Sequence, residues 1–159
     1  MKLIADCHLH IYPFHNLKLI IENCFKNFSK HKASSDKSIM AIFLAERHDC
    51  DEFNKLKNLN GDIQYDIKVE KLKDSQVLKI KKQSEEMLVF AGRQIITKEK
   101  LEVLGLTIEE RIKDGLPIRE VIDKILKCDG IPVLSWAPGK WFFKRGKIIK
   151  ELLNEYKAG

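Results

Sequence analysis

The 159-residue sequence predicts an α/β fold of mostly parallel strands with a β-hairpin insertion. Two observations support this prediction. An apolar stretch at residues 2–10, an amphipathic stretch at residues 15–32 and an apolar run at residues 39–45 follow one another, as in a crossover unit of a parallel sheet. Apolar and charged residues alternate on both sides of "KDS" at residues 73–75, which is typical of an antiparallel hairpin with one solvated side.

The first three elements follow from local patterning. The first strand is closed by Tyr12 and Pro13. The helix at residues 15–32 shows six apolar residues at helical spacing: Leu17, Ile20, Ile21, Cys24, Phe25 and Phe28. "IMAIFLA", at residues 39–45, is apolar throughout, as expected for a strand covered on both faces.

The later elements alternate in type. We expect a helix over residues 50–59 that ends at the turn-forming Asn60 and Gly61. After the hairpin, "EMLVFAGRQIIT" predicts one buried strand and "LEVLGL" another. "LPIREVIDKILKC" predicts a helix with Pro117 in its first turn, and "IPVLSW" a short strand. The last predicted helix covers residues 144–156.

Composition restricts the classes of function. With 44% apolar and 33% charged residues, the chain is expected to form one globular domain over residues 1–159. It has neither a membrane-spanning segment nor the apolar stretch of a signal peptide, so we expect a cytoplasmic protein with its four scattered cysteines reduced. The net charge of +6 comes from lysines spread along the chain, and nucleic acid is therefore an unlikely partner.

The segment "DCHLH" near the start of the chain suggests a metal site. Side chains two residues apart on a strand point the same way, so Asp6, His8 and His10 share one face. Two imidazoles can then bind one ion, with the carboxylate as a third ligand or as a partner that orients a histidine. The alternative is a pair of half-exposed histidines at the end of a strand.

Polar residues also follow the other apolar runs, where parallel α/β folds place their sites. The segments are Glu46, Arg47, His48 and Asp49; Gly92, Arg93 and Gln94; and Ser135, Trp136, Gly139 and Lys140. Taken singly, each has a structural alternative. Asp49 or Asp51 could cap the next helix, Arg93 could form a surface ion pair, and Gly92 could relieve backbone crowding.

These segments together carry a resemblance to a known family. "DCHLH", "AERHD", "FAGRQI" and "GIPVLSWAPGKW", in that order, resemble the N-terminal portion of the polymerase and histidinol phosphatase (PHP) superfamily, in a divergent branch. The resemblance implies a partial or truncated distorted (β/α) barrel of mostly parallel strands around a metal centre. It also implies a single PHP-like domain over residues 1–159 that is incomplete at its C-terminus.

The resemblance assigns roles by position. His8 and His10 match the first metal-binding pair, with Asp6 before them, and His48 matches the ligand after the second strand. Gln94 stands where the family has a metal-bridging glutamate. Trp136 or Ala137 stands in place of a further histidine ligand, and the family's last ligands have no counterpart. The ligand set expected here is therefore reduced, to a site for a single divalent ion.

The sequence thus predicts a metal-dependent hydrolase-like domain that acts on a phosphoester. The expected metal ligands are Asp6, His8, His10, Glu46 and His48, and the ion is Zn²⁺, Mn²⁺ or Fe²⁺. Arg47, Arg93 and Lys140 are expected to hold the small anionic substrate. The alternative is a degenerate, non-catalytic domain that binds an anion or a protein. In either case we expect the open sheet edge to be covered by a second copy or by a missing C-terminal half.

Overall fold

The computed structural model describes residues 2–32, 38–59, 61–64, 66–136 and 138–156, without the side chains of residues 61–64 and 138. The helices of this part are α1 (Leu17–Ser29), α2 (Glu52–Asn58), α3 (Ile118–Lys127) and α4 (Phe143–Tyr156). The strands are β1 (Lys2–Leu9), β2 (Ser38–Leu44), β3 (Gly61–Gln64), β4 (Ile67–Lys71), β5 (Val77–Lys82), β6 (Glu85–Phe90), β7 (Gly92–Ile96), β8 (Glu102–Leu106) and β9 (Ile131–Leu134). None of the described helices has the length and hydrophobicity needed to cross a lipid bilayer.

The larger sheet has six strands in the order β1-β2-β6-β5-β4-β3. β1 lies parallel to β2, and β2 lies parallel to β6, which confirms the predicted strand–helix–strand unit. β3, β4, β5 and β6 form an antiparallel meander. This meander confirms the predicted hairpin, which consists of β4 and β5, and adds a strand on each side of it.

The prediction of a mostly parallel barrel is wrong. β7, β8 and β9 form a separate sheet that is antiparallel throughout, and β5 and β6 are joined by a two-residue turn, which connects only antiparallel strands. The run at residues 86–97, predicted as one strand, is two strands in different sheets. β6 ends at Phe90, and the N–H of Ala91 binds the carbonyl of Gln76 in the meander before β7 begins.

Two hydrophobic cores stabilise the molecule. α1 and α2 pack on one face of the six-stranded sheet, and the buried stripe of α1 consists of Ile21, Phe25 and Phe28. The side chain of Asn16 accepts the N–H of Leu19 at 3.1 Å and so caps the start of α1. α3 and α4 pack on the three-stranded sheet in the second core, which contains Val121. A third, smaller cluster joins the two sheets: Ala45, Leu104 and Leu106, with Phe43 and Val133 against them.

Two local features position the polar residues. The pairing of β1 with β2 is irregular between Asp6 and Leu9, so strict alternation along β1 ends there. Gly92, at the start of β7, lies so close to the carbonyl oxygen of Leu44 that a Cβ at this position would collide with it. The interpretation of Gly92 as a residue that relieves backbone crowding is therefore confirmed.

Candidate functional site

The carboxyl ends of β1 and β2 meet the start of β7 at one edge of the molecule. The N–H of Ala45 donates to the carbonyl of Leu9 at 2.8 Å. The N–H of Glu46 donates to the carbonyl of Gly92 at 3.1 Å, and the N–H of Gln94 donates to the carbonyl of Glu46 at 2.8 Å. Three of the four predicted polar segments are therefore adjacent through main-chain hydrogen bonds.

The two histidines of "DCHLH" lie side by side at this edge. The ring centres of His8 and His10 are 4.9 Å apart, with the planes tilted by 59°. Asp6 lies beside them, and its Oδ1 accepts the N–H of His8 at 2.9 Å. Beyond His10 the rings continue as a row, with Tyr12 stacked on His10 at 5.8 Å and Phe14 stacked on Tyr12 at 5.5 Å.

His10 is the histidine of this pair with a perturbed environment. Burial lowers its pKa, and the positive charges of His8 and Arg47 lower it further. The carbonyl of Ala45 and the carboxylate of Glu102 act in the opposite direction but are outweighed. Its Nδ1 is buried and has no hydrogen-bond partner within the described part of the chain. A neutral imidazole with a free ring nitrogen is the form that binds metal ions.

Glu46 and Arg93, predicted to be a metal ligand and a substrate-binding residue, form a buried ion pair. Glu46 Oε2 accepts a hydrogen bond from Arg93 Nη1 at 2.9 Å, and the two side chains are 1% and 5% exposed. Glu46 Oε1 accepts the N–H of Phe53 in the first turn of α2 at 2.9 Å. Burial raises the pKa of Glu46, while the N–H of Phe53 and the charge of Arg93 oppose that shift. Both carboxylate oxygens are thus bonded to protein groups.

The guanidinium of Arg93 also fixes two loops. Its Nε and Nη2 donate to the carbonyl of Glu109 at 3.1 and 2.8 Å, and Nη1 donates to the carbonyl of Cys50 at 3.1 Å. The alternative of a surface ion pair is therefore wrong, because the pair is buried. Asp51 does occupy the N-cap position of α2, as one alternative predicted, but its side chain makes no capping bond to the described residues. Glu46 caps this helix instead, from the preceding strand end.

A polar cleft of about 290 Å³ lies next to this ion pair. Its walls are Arg47, His48, Gln94, Ile96 and Asp114. The guanidinium of Arg47 lies 5.9 Å from the ring centre of Tyr12 and pairs with Asp49 at 2.8 Å, with half of its side chain exposed. Of the three cations predicted to bind the substrate, Arg47 is thus the one whose side chain is most exposed to solvent.

His48 contacts an acidic residue in the cleft. Its Nδ1 lies 3.4 Å from Oδ2 of Asp114, whose Oδ1 accepts the N–H of Ile96 at 2.9 Å. The side chain of His48 is 65% exposed. His48 therefore lines the cleft beside Arg47 and is not grouped with His8 and His10.

The fourth predicted segment reaches the others through the side chain of Glu102 and not through the main-chain hydrogen bonds that join the other three. β9 runs parallel to β7, and by register Leu134 is level with Ile95. Lys140, which follows β9, donates to Glu102 at 2.7 Å, and Glu102 pairs with Ile96 at the opposite end of β7 from Arg93. Trp136 is 65% exposed and packs edge-on against Trp141. Glu102 thus connects the fourth segment to the cleft residue Ile96 by strand pairing and to His10 by its charge.

A larger apolar groove of about 410 Å³ lies between β9, α3 and α4. Its described walls include no charged side chain and are formed by Val103, Ile122, Pro132, Val133, Leu134, Trp141, Leu152, Leu153 and Tyr156. Volume alone would favour this groove as a binding site. The smaller cleft is the better candidate, because acid–base and metal chemistry need the polar groups that it has.

The structure shows how far the predicted metal ligands come together. Within the described residues, no group of three or more His, Cys, Asp or Glu side chains is arranged to hold a metal ion. His8 and His10 are adjacent, whereas Glu46 is bonded to Arg93 and Phe53 and His48 faces Asp114. The described part of the protein thus offers at most a pair of ligands at one point.

Sequence reasoning missed two residues of this region. Tyr12 was interpreted only as the end of a strand, yet its ring links His10 to Arg47. Asp114 lies in a loop far from the strand ends in sequence, and it reaches the cleft because Ile96 binds it. The aromatic residues at every second position after His8 were a signal for Tyr12, whereas no local pattern indicated Asp114.

Comparison of the chain with protein-family models, with curated proteins and with solved structures found no match. The resemblance to the PHP superfamily therefore stays a prediction from the four short motifs.

Proposed function

We propose that this chain is a metal-dependent hydrolase-like domain in which His8 and His10 hold one divalent ion next to a cleft for a phosphoester. The observation that carries the proposal is the side-by-side placement of the two imidazoles, 4.9 Å apart. A second observation supports the proposal: Nδ1 of His10 is buried and has no hydrogen-bond partner within the described part of the chain. Arg47 supplies the cation for the ligand.

The distance between the rings suits one shared ion. A nitrogen–metal bond of about 2.1 Å places the ion about 3.2 Å from the centre of each ring, so a near-tetrahedral angle separates the two centres by about 5 Å. The observed 4.9 Å agrees with this value. The remaining coordination positions would be filled by water or by the ligand, as in catalytic sites, which keep a position open.

The residues would divide the chemistry as follows. A divalent ion supplies Lewis acidity and a more acidic bound water. His8 and His10 would hold it in their neutral forms, which the lowered pKa of His10 favours. Arg47 would bind a phosphoryl oxygen through its planar pair of donors, with Tyr12 keeping the guanidinium in place. Arg93 is bonded to Glu46 and to carbonyl groups, so its contribution is to hold the cleft wall.

The first experiment tests metal binding. Metal content is measured by mass spectrometry on tag-free protein, for the wild type, for the double variant His8→Ala/His10→Ala and for the control His31→Ala. His31 follows α1, away from the cleft. We expect about one ion per chain in the wild type and the control, and almost none in the double variant. Equal metal content in all three proteins, or none in any, would refute the proposal.

The second experiment tests the reaction. Generic phosphoesters are incubated with protein loaded with Mn²⁺ or Zn²⁺, and Arg47→Ala is compared with Arg119→Ala. Arg119 is the matched control because it is an exposed arginine that pairs with Glu155. Loss of a charge-assisted contact to phosphate should lower kcat/KM by about 10- to 100-fold in Arg47→Ala. No turnover by the metal-loaded wild type would remove the hydrolase assignment.

A second candidate function is a non-catalytic domain that binds an anion. The observation that favours it is the neutralisation of Glu46 by Arg93, which leaves fewer ligands than a hydrolytic metal centre usually has. Phosphate or a nucleotide should then raise the Tm in the presence of a chelator, and Arg47→Ala should abolish the increase. Stabilisation that requires metal would favour the hydrolase instead.

The proposed location is the cytoplasm. It is supported by the cysteines, because Cys7, Cys24, Cys50 and Cys128 are all free thiols in the structure. Fractionation of cells that express the protein, with detection of the native chain, tests this assignment.

A further inference from the structure

β1 forms one edge of the six-stranded sheet. Of the other described strands at the outside of a sheet, β3 and β9 have four residues each, and β9 contains Pro132, which cannot donate to a neighbouring strand. β7 has five residues, and its outer side is already bonded to the main chain of Glu46. β1 has eight residues and contains no proline. A long edge strand offers a row of backbone donors and acceptors to another chain. β1 is therefore the edge best suited to strand pairing.

β1 also exposes apolar side chains at this edge. Leu3 is 63% exposed, and Ala5, on the same side of the regular part of the strand, is exposed as well. Ile39, on the neighbouring strand β2, continues this surface at 37% exposure. Ile4 points to the other side, where it packs against the core beneath α1. Pairing with another strand would remove part of this apolar surface from water.

The regular part of β1 is short, and its length indicates where the two-fold axis of a dimer would cross the strand. Lys2 to Asp6 pair with Ser38 to Ile42 without irregularity, and the bulge follows Asp6. A second copy that pairs by a two-fold axis must place the same segment opposite itself, antiparallel. The middle of the five regular residues is Ile4. The register that uses all five therefore places Ile4 opposite Ile4 of the second copy.

This register is also favoured by charge. It places Lys2 opposite Asp6 of the second copy, and symmetry makes that pair twice, with Leu3 opposite Ala5 between them. A centre on Leu3 would place Lys2 opposite Ile4, and a centre on Ala5 would place Asp6 opposite Ile4. Only the centre on Ile4 joins the opposite charges.

Lys2 and Asp6 both have hydrogen-bonding capacity left for this contact between the two copies. Lys2 Nζ donates one hydrogen bond, to the carbonyl of His31 at 2.9 Å, and an ammonium has three donors. Asp6 uses Oδ1 for the N–H of His8. A carboxylate offers a second oxygen for the incoming lysine.

We propose that two copies of this chain form a symmetric dimer by antiparallel pairing of β1, centred on Ile4 with Lys2 opposite Asp6. The two six-stranded sheets become one continuous sheet. The paired segment ends before His8, so the histidine pair stays outside the interface. The imidazole rings of the proposed metal site thus take no part in the pairing, and the interface reaches that site only at Asp6.

Charge reversal tests the register. Sedimentation velocity over a range of concentrations gives the dimer Kd for wild type, Lys2→Glu, Asp6→Lys and the double variant Lys2→Glu/Asp6→Lys. Each single variant sets two like-charged pairs face to face and should weaken the dimer by about tenfold or more. The double variant restores two opposite-charge pairs and should return the Kd to near the wild-type value, with circular dichroism spectra confirming that all four proteins are folded.

The outcomes separate the possibilities. A wild-type protein that stays monomeric at high concentration overturns the proposal. A dimer that ignores the single reversals uses another surface, and a dimer that the double variant fails to restore uses another register, so each of these results also overturns it.

Disulfide trapping gives a second, independent reading of the register. In a Cys7→Ser background, Leu3→Cys/Ala5→Cys places two cysteine pairs across the interface, at the close spacing of opposite residues on paired strands. We expect a covalent dimer on a non-reducing gel after mild oxidation. Leu3→Cys alone and Ala5→Cys alone are the controls, because each cross-links only if its own residue is the centre. A cross-link in either control, or none in the double-cysteine variant, contradicts the proposed pairing.

Discussion

Replacement of Arg93 by methionine is expected to be among the most destabilising single changes in the molecule. The guanidinium is 5% exposed and neutralises a carboxylate, Glu46, that is 1% exposed. Arg93→Met leaves that carboxylate buried, and the donor that remains to it among the described residues is the N–H of Phe53, at 2.9 Å. Removing one partner of a buried ion pair costs about 3–5 kcal/mol in free energy of unfolding.

The pair should behave as one unit. Glu46→Gln removes the negative charge and keeps an oxygen that can accept the N–H of Phe53. The double variant Glu46→Gln/Arg93→Met leaves no unpaired charge at this position. We therefore expect its loss of stability to be smaller than the sum of the two single losses by about 2–3 kcal/mol, which is the upper range for interacting neighbours.

Urea unfolding followed by circular dichroism measures these differences. With an m-value of about 2 kcal/mol/M, a loss of about 4 kcal/mol lowers the midpoint by about 2 M. Arg47→Met is the matched control, since Arg47 lies in the same region but its ion pair with Asp49 is half exposed. Its midpoint should stay near that of the wild type. A midpoint for Arg93→Met as high as that of the control, or additive losses in the double variant, would refute the reasoning.

Three further predictions test other parts of the structure. Gly92→Ala should lower the free energy of unfolding by about 1–3 kcal/mol because its Cβ would collide with the Leu44 carbonyl. Gly139→Ala, with no described atom within 4 Å of its added Cβ, should leave the free energy of unfolding unchanged, and the urea midpoints of the two variants measure the difference. In chelator-treated protein the pKa of His10 is lower in the folded state than in the unfolded state, so the unfolded state takes up a proton first as the pH falls. The free energy of unfolding should therefore decrease below about pH 6.5. His10→Gln should flatten this part of the curve of stability against pH, and an unchanged slope in the variant contradicts the prediction. Cys24, whose pKa burial raises to about 11, should be about 0.1% thiolate at about pH 8 and should be alkylated far more slowly than exposed Cys7, as peptide mass spectrometry will show.

Local patterning was sufficient for most elements and insufficient for their arrangement. The helical spacing of Ile21, Phe25 and Phe28 predicted α1, and the alternation in β4 and β5 predicted their hairpin. An unbroken apolar run has no periodicity, so the division between β6 and β7 could not be found from it. The turn at Gln83 and Ser84 did contain a signal, because a connection of two residues joins only antiparallel strands.

The sequence predicted which residues lie near one another at the candidate site, but not which of them form hydrogen bonds and ion pairs with each other. The rule that strands present their functional residues at one end brought Glu46, Arg47 and Arg93 to the right region. Whether a carboxylate binds a metal or an arginine depends on pairing between residues 47 positions apart, which is set by the register of β7 beside the end of β2. Nothing local in the sequence encodes that register.

The bonding of Glu46 changes which residues can carry chemistry. A carboxylate bonded to Arg93 and to the start of α2 is a structural link between the two sheets, and breaking it for catalysis would expose a buried charge. The groups free to act are then the histidine pair at the end of β1 and Arg47 in the adjoining cleft. Both groups contact the ring of Tyr12, which stacks with His10 and lies 5.9 Å from the guanidinium of Arg47. In the proposed function, a ligand held by both groups would lie close to this ring, so we expect a phosphoester with an aromatic or planar leaving group to bind more tightly than inorganic phosphate.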